Sequence, residues 1–274
     1  MDLFYRRYGQ QGDQPLVILH GLFGISDNWV SFGRRIAEEG FDVIIPDQRN
    51  HGNSPHSDSF NYLALTDDIL ELLHNLRLHE PILLGHSMGG KVAMRLALEN
   101  PGLLYKLIVV DITLKAYGDR PHHRNIIEAM LEIDLEQASS RQEVEERLSK
   151  RVKELRIRQF LMKNLHWKER GQLEWRINLE GIARNLGEMF DAIETPATFE
   201  NPTLFIRGGR SDYILPSDYS QIRTNFPTAE ILTIEDASHW VHAEASEQFY
   251  LIASGFLTGT PGWFSKNPEL DSTG

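Results

Sequence analysis

Cysteine is absent from the 274 residues. Disulfides, thiol nucleophiles and cysteine-ligated metals are therefore excluded, and the chain is indifferent to the redox state of its compartment. Long apolar runs are missing as well. None approaches the roughly 20 residues that a membrane-spanning helix needs. Met1-Asp2-Leu3-Phe4-Tyr5-Arg6-Arg7 lacks the apolar stretch of a secretory leader. A soluble, cytoplasmic protein with no membrane partner is expected. Positive charge is scarce: 28 Lys and Arg against 39 Asp and Glu give a formal net charge of −11. With no basic stripe, a nucleic-acid backbone is not an expected partner. The 11 histidines lack metal-site spacing of the HExxH kind, so neither a metal nor a cofactor is expected. No internal repeat of fixed period is present. What is left is ordinary globular composition, 41% hydrophobic and 24% charged. The length suits one large domain with room for an inserted subdomain.

Short apolar runs alternate with helical periodicity through the first half. Leu16-Val17-Ile18-Leu19, Val43-Ile44-Ile45, Ile82-Leu83-Leu84 and Leu107-Ile108-Val109-Val110 are continuous rather than alternating. That is the pattern of strands buried on both faces. Leu3 to Tyr8 reads as an edge strand. Helical spacing runs from Asn28 to Ala37, from Tyr62 to Leu78 and from Lys91 to Glu99. The expected fold is therefore α/β, a mostly parallel sheet with helices on both faces. After Asp111 the pattern changes. Residues 126–135, 144–165 and 173–193 read as charged helices with no convincing buried strand, too many residues for one crossover. A helical cap over residues 116–196 is expected, inserted into a core of residues 1–115 and 197–258. Strand character returns at Thr203-Leu204-Phe205-Ile206 and at residues 229–234, and a closing helix spans 244–256. Residues 259–274, rich in Gly, Pro and Ser, read as a flexible tail in which Trp263 and Phe264 are free to dock.

The chemistry gathers at Gly85-His86-Ser87-Met88-Gly89, directly after an apolar run and directly before a helical one. A serine on a sharp strand-to-helix turn lifts its hydroxyl above the sheet edge, and the glycines on either side avoid backbone collisions. The free N–H groups of the following helix would face an oxyanion formed there. A serine hydroxyl needs a base, a group that orients the base, and oxyanion donors. His239, in the loop after the last strand, is the expected base. His242 reads as wall or helix start, His20 as a brace, and the pair His122-His123 as surface. Two acids obey the chain order Ser…Asp…His, Asp111 and Asp212, and pattern alone does not separate them. The oxyanion donors are expected from the backbone of Met88 and from Leu22 or Phe23.

Four stretches taken together resemble the α/β-hydrolase superfamily: His20-Gly21-Leu22-Phe23-Gly24, Asp47-x-Arg49-Asn50-His51-Gly52-x-Ser54, Gly85 to Lys91, and Ser238-His239-Trp240-Val241-His242. More narrowly they resemble small bacterial YbfF-type esterases. The likeness runs from Val17 to the closing helix and includes Gln159-Phe160-Leu161 and Trp175-Arg176-x-Asn178. One departure is Ser238, where many such proteins carry glycine before the histidine. The resemblance favours Asp111 as the acid, with Ser211 as an accessory contact near the histidine and Asp212 as the alternative. The activity it implies is that of a serine carboxylesterase. Its substrates would be short- to medium-chain acyl esters, or thioesters cleaved by the same machinery, through an acyl-enzyme. A small-molecule acyl ester is then the expected partner, in a pocket walled by Phe23, His86, Phe160, Trp175 and Trp240. A C–C hydrolase, a lyase, a perhydrolase and a slow-turnover ligand receptor are the rival readings on this fold. A haloalkane dehalogenase is disfavoured, since it would carry an aspartate in place of Ser87. Oligomeric state is not readable.

Overall fold

The apolar runs become strands whose alternate residues face opposite layers. The computed structural model describes residues 1–118, 121–168 and 171–259. The expected tail and its Trp263 and Phe264 lie, from residue 260 onward, outside the described residues. In chain order the first half contains β1 (Tyr5–Tyr8), β2 (Gln14–Leu19), α1 (Val30–Ala37), β3 (Phe41–Pro46), α2 (Tyr62–Asn75), β4 (Ile82–His86), α3 (Met88–Glu99) and β5 (Lys106–Val110). An insertion follows with α4 (Pro121–Leu131), α5 (Arg141–Ser149), α6 (Leu155–Leu161), β6 (Leu165–Trp167), β7 (Leu173–Trp175) and α7 (Leu179–Arg184). The chain then returns as β8 (Thr203–Gly208), α8 (Tyr219–Asn225), β9 (Ala229–Ile234), α9 (Val241–Glu244) and α10 (Ser246–Thr258).

Among the described residues seven strands form one sheet in the order β1-β3-β2-β4-β5-β8-β9. Only β1 is antiparallel to its neighbour. Strand alternation sends Val17, Leu19, Leu83, Leu107 and Val109 to one layer, with α2, α3 and the insertion. It sends Leu16, Ile18, Leu84, Ile108 and Val110 to the other, with α1 and α10. Both layers are dry, which is why these strands read as unbroken apolar runs. The consequence for function is positional. Strands β4, β5, β8 and β9 are consecutive in space and parallel, so the loops leaving their carboxyl ends meet along one edge.

The insertion differs from the all-helical expectation. Leu165–Trp167 and Leu173–Trp175 pair as an antiparallel two-stranded ribbon, so residues 173–175 are strand, not helix. The expected helix over 144–165 breaks into α5 and α6, with a 3-10 turn at Met162–Asn164. Three-residue strands are too short to show alternation, and a charged surface helix and a charged ribbon look alike in sequence. The insertion docks on loops at the sheet's active edge. Ile177 bridges His51, Asn178 N–H donates to Asn50 O at 2.9 Å, and buried Asn164 Nδ2 donates to Phe23 O at 2.8 Å. Tyr62 Oη donates to Met189 O at 2.9 Å. Among the described residues no helix is long and apolar enough to cross a membrane.

Candidate active site

The turn between β4 and α3 leaves no room for a side chain two residues either side of its tip. A Cβ added to Gly85 would collide with Gly89 O, and one added to Gly89 would collide with Leu19 O. Ser87, at the tip, has φ 52° and ψ −120°. Such backbone is strained for a non-glycine residue by about 1–3 kcal/mol. Hydrogen bonds around it offset that strain: Ser87 N–H donates to Val110 O at 3.0 Å, and Ser87 O accepts from Gly90 N–H at 2.8 Å and Lys91 N–H at 3.1 Å.

His239 Nε2 lies 2.9 Å from Ser87 Oγ. On its other side His239 Nδ1 lies 2.9 Å from Asp111 Oδ2. Asp111 is fully buried and takes φ 50°, which turns its carboxylate back over the sheet edge. Its Oδ1 accepts from Gly208 N–H at 3.0 Å, and its Oδ2 also accepts from Ser211 Oγ. Ser211 Oγ in turn accepts from Tyr213 N–H at 3.2 Å. The Tyr213 ring stacks on the imidazole with centroids 3.8 Å apart and planes 16° apart. The carboxylate that meets His239 is thus that of Asp111. Asp212, the other candidate, is exposed to solvent. With Asp111 accepting at Nδ1, the neutral imidazole carries its proton there and offers Nε2 as an acceptor to the serine hydroxyl.

Three further histidines are buried and a fourth, His242, is partly buried, and all four are held neutral. Burial pushes His20 down to about 4, and burial with a neighbouring His20 pushes His51 down to about 3. His242 falls to about 3 for the same first reason, and His86 falls well below the usual range. His20 and His51 then each act as a fixed donor–acceptor pair. His20 Nδ1 donates to Gly21 O at 2.9 Å and its Nε2 accepts from Gln48 N–H at 2.9 Å. His51 Nδ1 donates to Arg49 O at 2.9 Å, and its Nε2 accepts from Phe23 N–H at 3.2 Å. His86 Nε2 donates to His239 O at 2.9 Å, which ties the imidazole's own backbone to the serine turn.

This bracing corrects one expectation. Phe23 N–H is engaged by His51, so it is not an oxyanion donor. Among the described residues the N–H groups of Leu22 and Met88 make no such bond, and both residues line the space beside Ser87.

Above Ser87 lies a cavity of about 230 Å³ with walls from Leu22, Phe23, His86, Ile126, Tyr213 and Trp240, and with His122 and His123 at one side. Phe160 and Trp175, expected as walls, do not line it. Phe160 packs on Trp240, centroids 6.1 Å apart, and faces an adjoining groove. Trp175 sits in the ribbon with its indole N–H buried and, among the described residues, unpartnered. His123 is not surface: α4 turns it inward, where its ring stacks 6.1 Å from Phe23. Sequence reasoning also missed Tyr213 and Ile126. Tyr213 lies only two residues past Ser211, but nothing in the pattern says which ring covers the imidazole.

One buried cation joins this site to the insertion. Lys91, four residues past Ser87, has no exposed surface. Its Nζ donates to Lys115 O at 2.9 Å and to Asp191 O, the two stems of the insertion. The rings of Tyr117 and Tyr62 lie 5.0 and 5.4 Å away. Burial pushes Lys91 down to about 8. Among the described residues no group of three or more His, Asp or Glu is placed to hold a metal ion.

Residues 14–246 match a family model described as alpha/beta hydrolase fold. The chain is 42% identical over 263 residues to the sn-1-specific diacylglycerol lipase ABHD11 of Danio rerio, covering 94% of this chain and 83% of that one. It is 32% identical over 235 residues to Esterase YbfF of Escherichia coli, covering 86% and 89%. Among solved structures, one titled "Marine microorganism esterase" superposes with a TM-score of 0.90 at 38% identity, covering 93% of this chain and 99% of that one.

Proposed function

Because the chain belongs to the α/β-hydrolase fold family, we propose that it is a serine carboxylic ester hydrolase working through an acyl-enzyme. The observation that carries this reading is the unbroken hydrogen-bonded line from Ser87 Oγ through His239 to the buried Asp111 carboxylate. As Ser87 Oγ bonds to the ester carbonyl carbon, His239 Nε2 takes the hydroxyl proton and Asp111 steadies the imidazolium. The carbonyl oxygen becomes an oxyanion between the N–H groups of Met88 and Leu22, at the positive end of α3. When the C–O bond to the alcohol breaks, His239 returns the proton to the leaving oxygen. Water, deprotonated by the same ring, then attacks the acyl carbon. The carboxylic acid departs and Ser87 recovers its proton.

The relatives named esterase and diacylglycerol lipase support a carboxylic ester as the bond cleaved. The small apolar cavity supports short- to medium-chain acyl groups, on esters or thioesters, and acylglycerols are the natural compounds to try first. Ser211 would help hold Asp111, His86 would hold the His239 loop, and the insertion would serve as a cap that supplies one wall of the pocket. Release of p-nitrophenol from acetate, butyrate, octanoate and decanoate esters tests the reading. Turnover is expected to peak below decanoate and to drop about 10⁴-fold or more in Ser87→Ala. Undiminished turnover in that variant overturns the serine mechanism. Stabilisation by an ester that is never cleaved would instead indicate a binding protein.

A further inference from the structure

The leaving oxygen must receive its proton from His239 Nε2, so the alcohol portion of the ester lies on the His239 side of the scissile carbonyl. The acyl portion then takes the apolar cavity over Ser87 on the side away from that nitrogen. A small recess of about 20 Å³ beside Met88, walled by Ile112, Met189 and Phe190, extends from Ser87 without His239 in its lining. This division rests on the ester-hydrolase reading above. On the His239 side the cavity ends at Trp240, which follows the imidazole directly. Beyond Trp240 and its partner ring Phe160 a groove of about 360 Å³ opens between α6 and α9.

The charge in that groove is one-sided. Arg156 and Lys163 both line it, and both are exposed. Among the described residues neither has an ion pair or hydrogen bond, whereas their neighbour Arg158 is committed to Glu145 at 3.6 Å and to the carbonyls of Val152 and Lys153. Among the described residues the carboxylate in the groove is that of Glu244, and it is already occupied. It accepts from Ser238 N–H at 2.8 Å and Ser238 Oγ at 2.5 Å, and Arg210 lies 3.7 Å away. The remaining titratable wall, His242, is neutral, because burial holds it down at about 3. In a chain of net charge −11, two uncommitted cations beside the exit of the leaving group form a local positive spot in an otherwise acidic molecule.

We propose that this groove receives an anionic group, a phosphate or a carboxylate, carried on the alcohol portion of the substrate, with Arg156 and Lys163 as its counter-charges. An arginine offers a planar fork to either oxyanion and the lysine a point charge. The reaction balances as ordinary hydrolysis: water is consumed, the fatty acid is released, and the alcohol leaves with its anionic group intact. Trp240 and Phe160 separate the two environments, apolar over Ser87 and charged outside.

The test compares three esters of one acyl chain: a neutral monoacylglycerol, the matching acylglycerol phosphate, and the acyl ester of 3-hydroxybutyrate. The wild-type protein is expected to favour one or both anionic esters in kcat/KM, chiefly through KM, with the preference shrinking as salt is added. The anion favoured more strongly identifies the source. In an Arg156→Gln/Lys163→Gln variant the ratio of anionic to neutral kcat/KM should fall about fivefold to tenfold, the range for two exposed charge contacts. Equal kcat/KM for neutral and anionic esters in the wild type, or a ratio unmoved by the double substitution, overturns the groove assignment and leaves the esterase reading intact. Failure to cleave any of the three, and any p-nitrophenyl ester, overturns both.

Discussion

The two halves of this site are built by different means. Ser87, Asp111 and Ser211 sit within a few residues of the carboxyl ends of β4, β5 and β8, and His239 sits in the loop that follows β9. Those strands are neighbours in one sheet, so the pairing of the strands itself brings these groups together. The walls over Ser87 are a composite. Ile126 and His123 come from the insertion, and the insertion reaches the sheet through side-chain and backbone contacts to sequence-distant loops, such as Asn164 to Phe23 and Lys91 to its two stems. The difference teaches that, on the proposed reading, chemistry depends on strand ends and selectivity on docking. A change at a strand end should stop the reaction. A change at a docking contact should retune which substrate reacts.

The sharpest break of that comparison lies between two aspartates a hundred residues apart. Asp111→Asn should lower kcat by about 10²–10⁴-fold, since the amide favours the wrong imidazole tautomer and cannot steady the imidazolium charge. Asp212→Asn should stay within about twofold, because that side chain is exposed and Asp111 already occupies His239 Nδ1. The reverse order in steady-state kinetics would reassign the acid.

Acid should attack the strand-end half next. His20 and His51 titrate at about 4 and about 3 when folded, against about 6.5 unfolded. The unfolded chain therefore binds more protons below pH 6.5, and stability falls as pH drops from there toward 4. Each such histidine contributes about 1.4 kcal/mol per pH unit. Urea midpoints at pH 7, 6 and 5 check this, and a flat profile would mean that these rings are not held neutral.

A smaller effect is expected at the docking half. Lys91→Met strands the carbonyls of Lys115 and Asp191, at about 1–3 kcal/mol. It should raise KM more than it lowers kcat, because Ser87 and His239 stay on the sheet. A loss confined to kcat would place Lys91 with the strand-end machinery instead. Smallest of all is the contrast between two tryptophans. Trp240→Ala should shift preference among alcohol portions several-fold, whereas Trp175→Phe should leave that preference unchanged and cost only the packing of the larger ring, since its indole N–H has no partner to lose.

The same division governs what could be read without coordinates. The sheet was legible because Leu16 to Leu19, Val43 to Ile45, Ile82 to Leu84 and Leu107 to Val110 are buried on both faces and must be apolar throughout. The serine turn was legible because Gly85 and Gly89 have no steric alternative. The choice between Asp111 and Asp212 was not, because both follow strands in the right order. What separates them is the positive φ of Asp111 and its bond from Gly208 N–H, neither of which has a sequence signature. The insertion defeated periodicity at the ribbon Leu165–Trp167 and Leu173–Trp175. With it went Trp175 as a wall, while His123 was turned inward by α4, whose facing the pattern does not give. The engagement of Phe23 N–H has no sequence signature, because its acceptor, His51, is 28 residues away.

The central claim is that Ser87 Oγ is the nucleophile, made reactive by His239. The most direct test is to treat the intact protein with a fluorophosphonate ester and map the adduct by peptide mass spectrometry. One phosphonyl group on Ser87, lost in His239→Ala at equal reagent and time, is the predicted result. Labelling elsewhere, or labelling of Ser87 that proceeds equally fast without His239, would contradict the account.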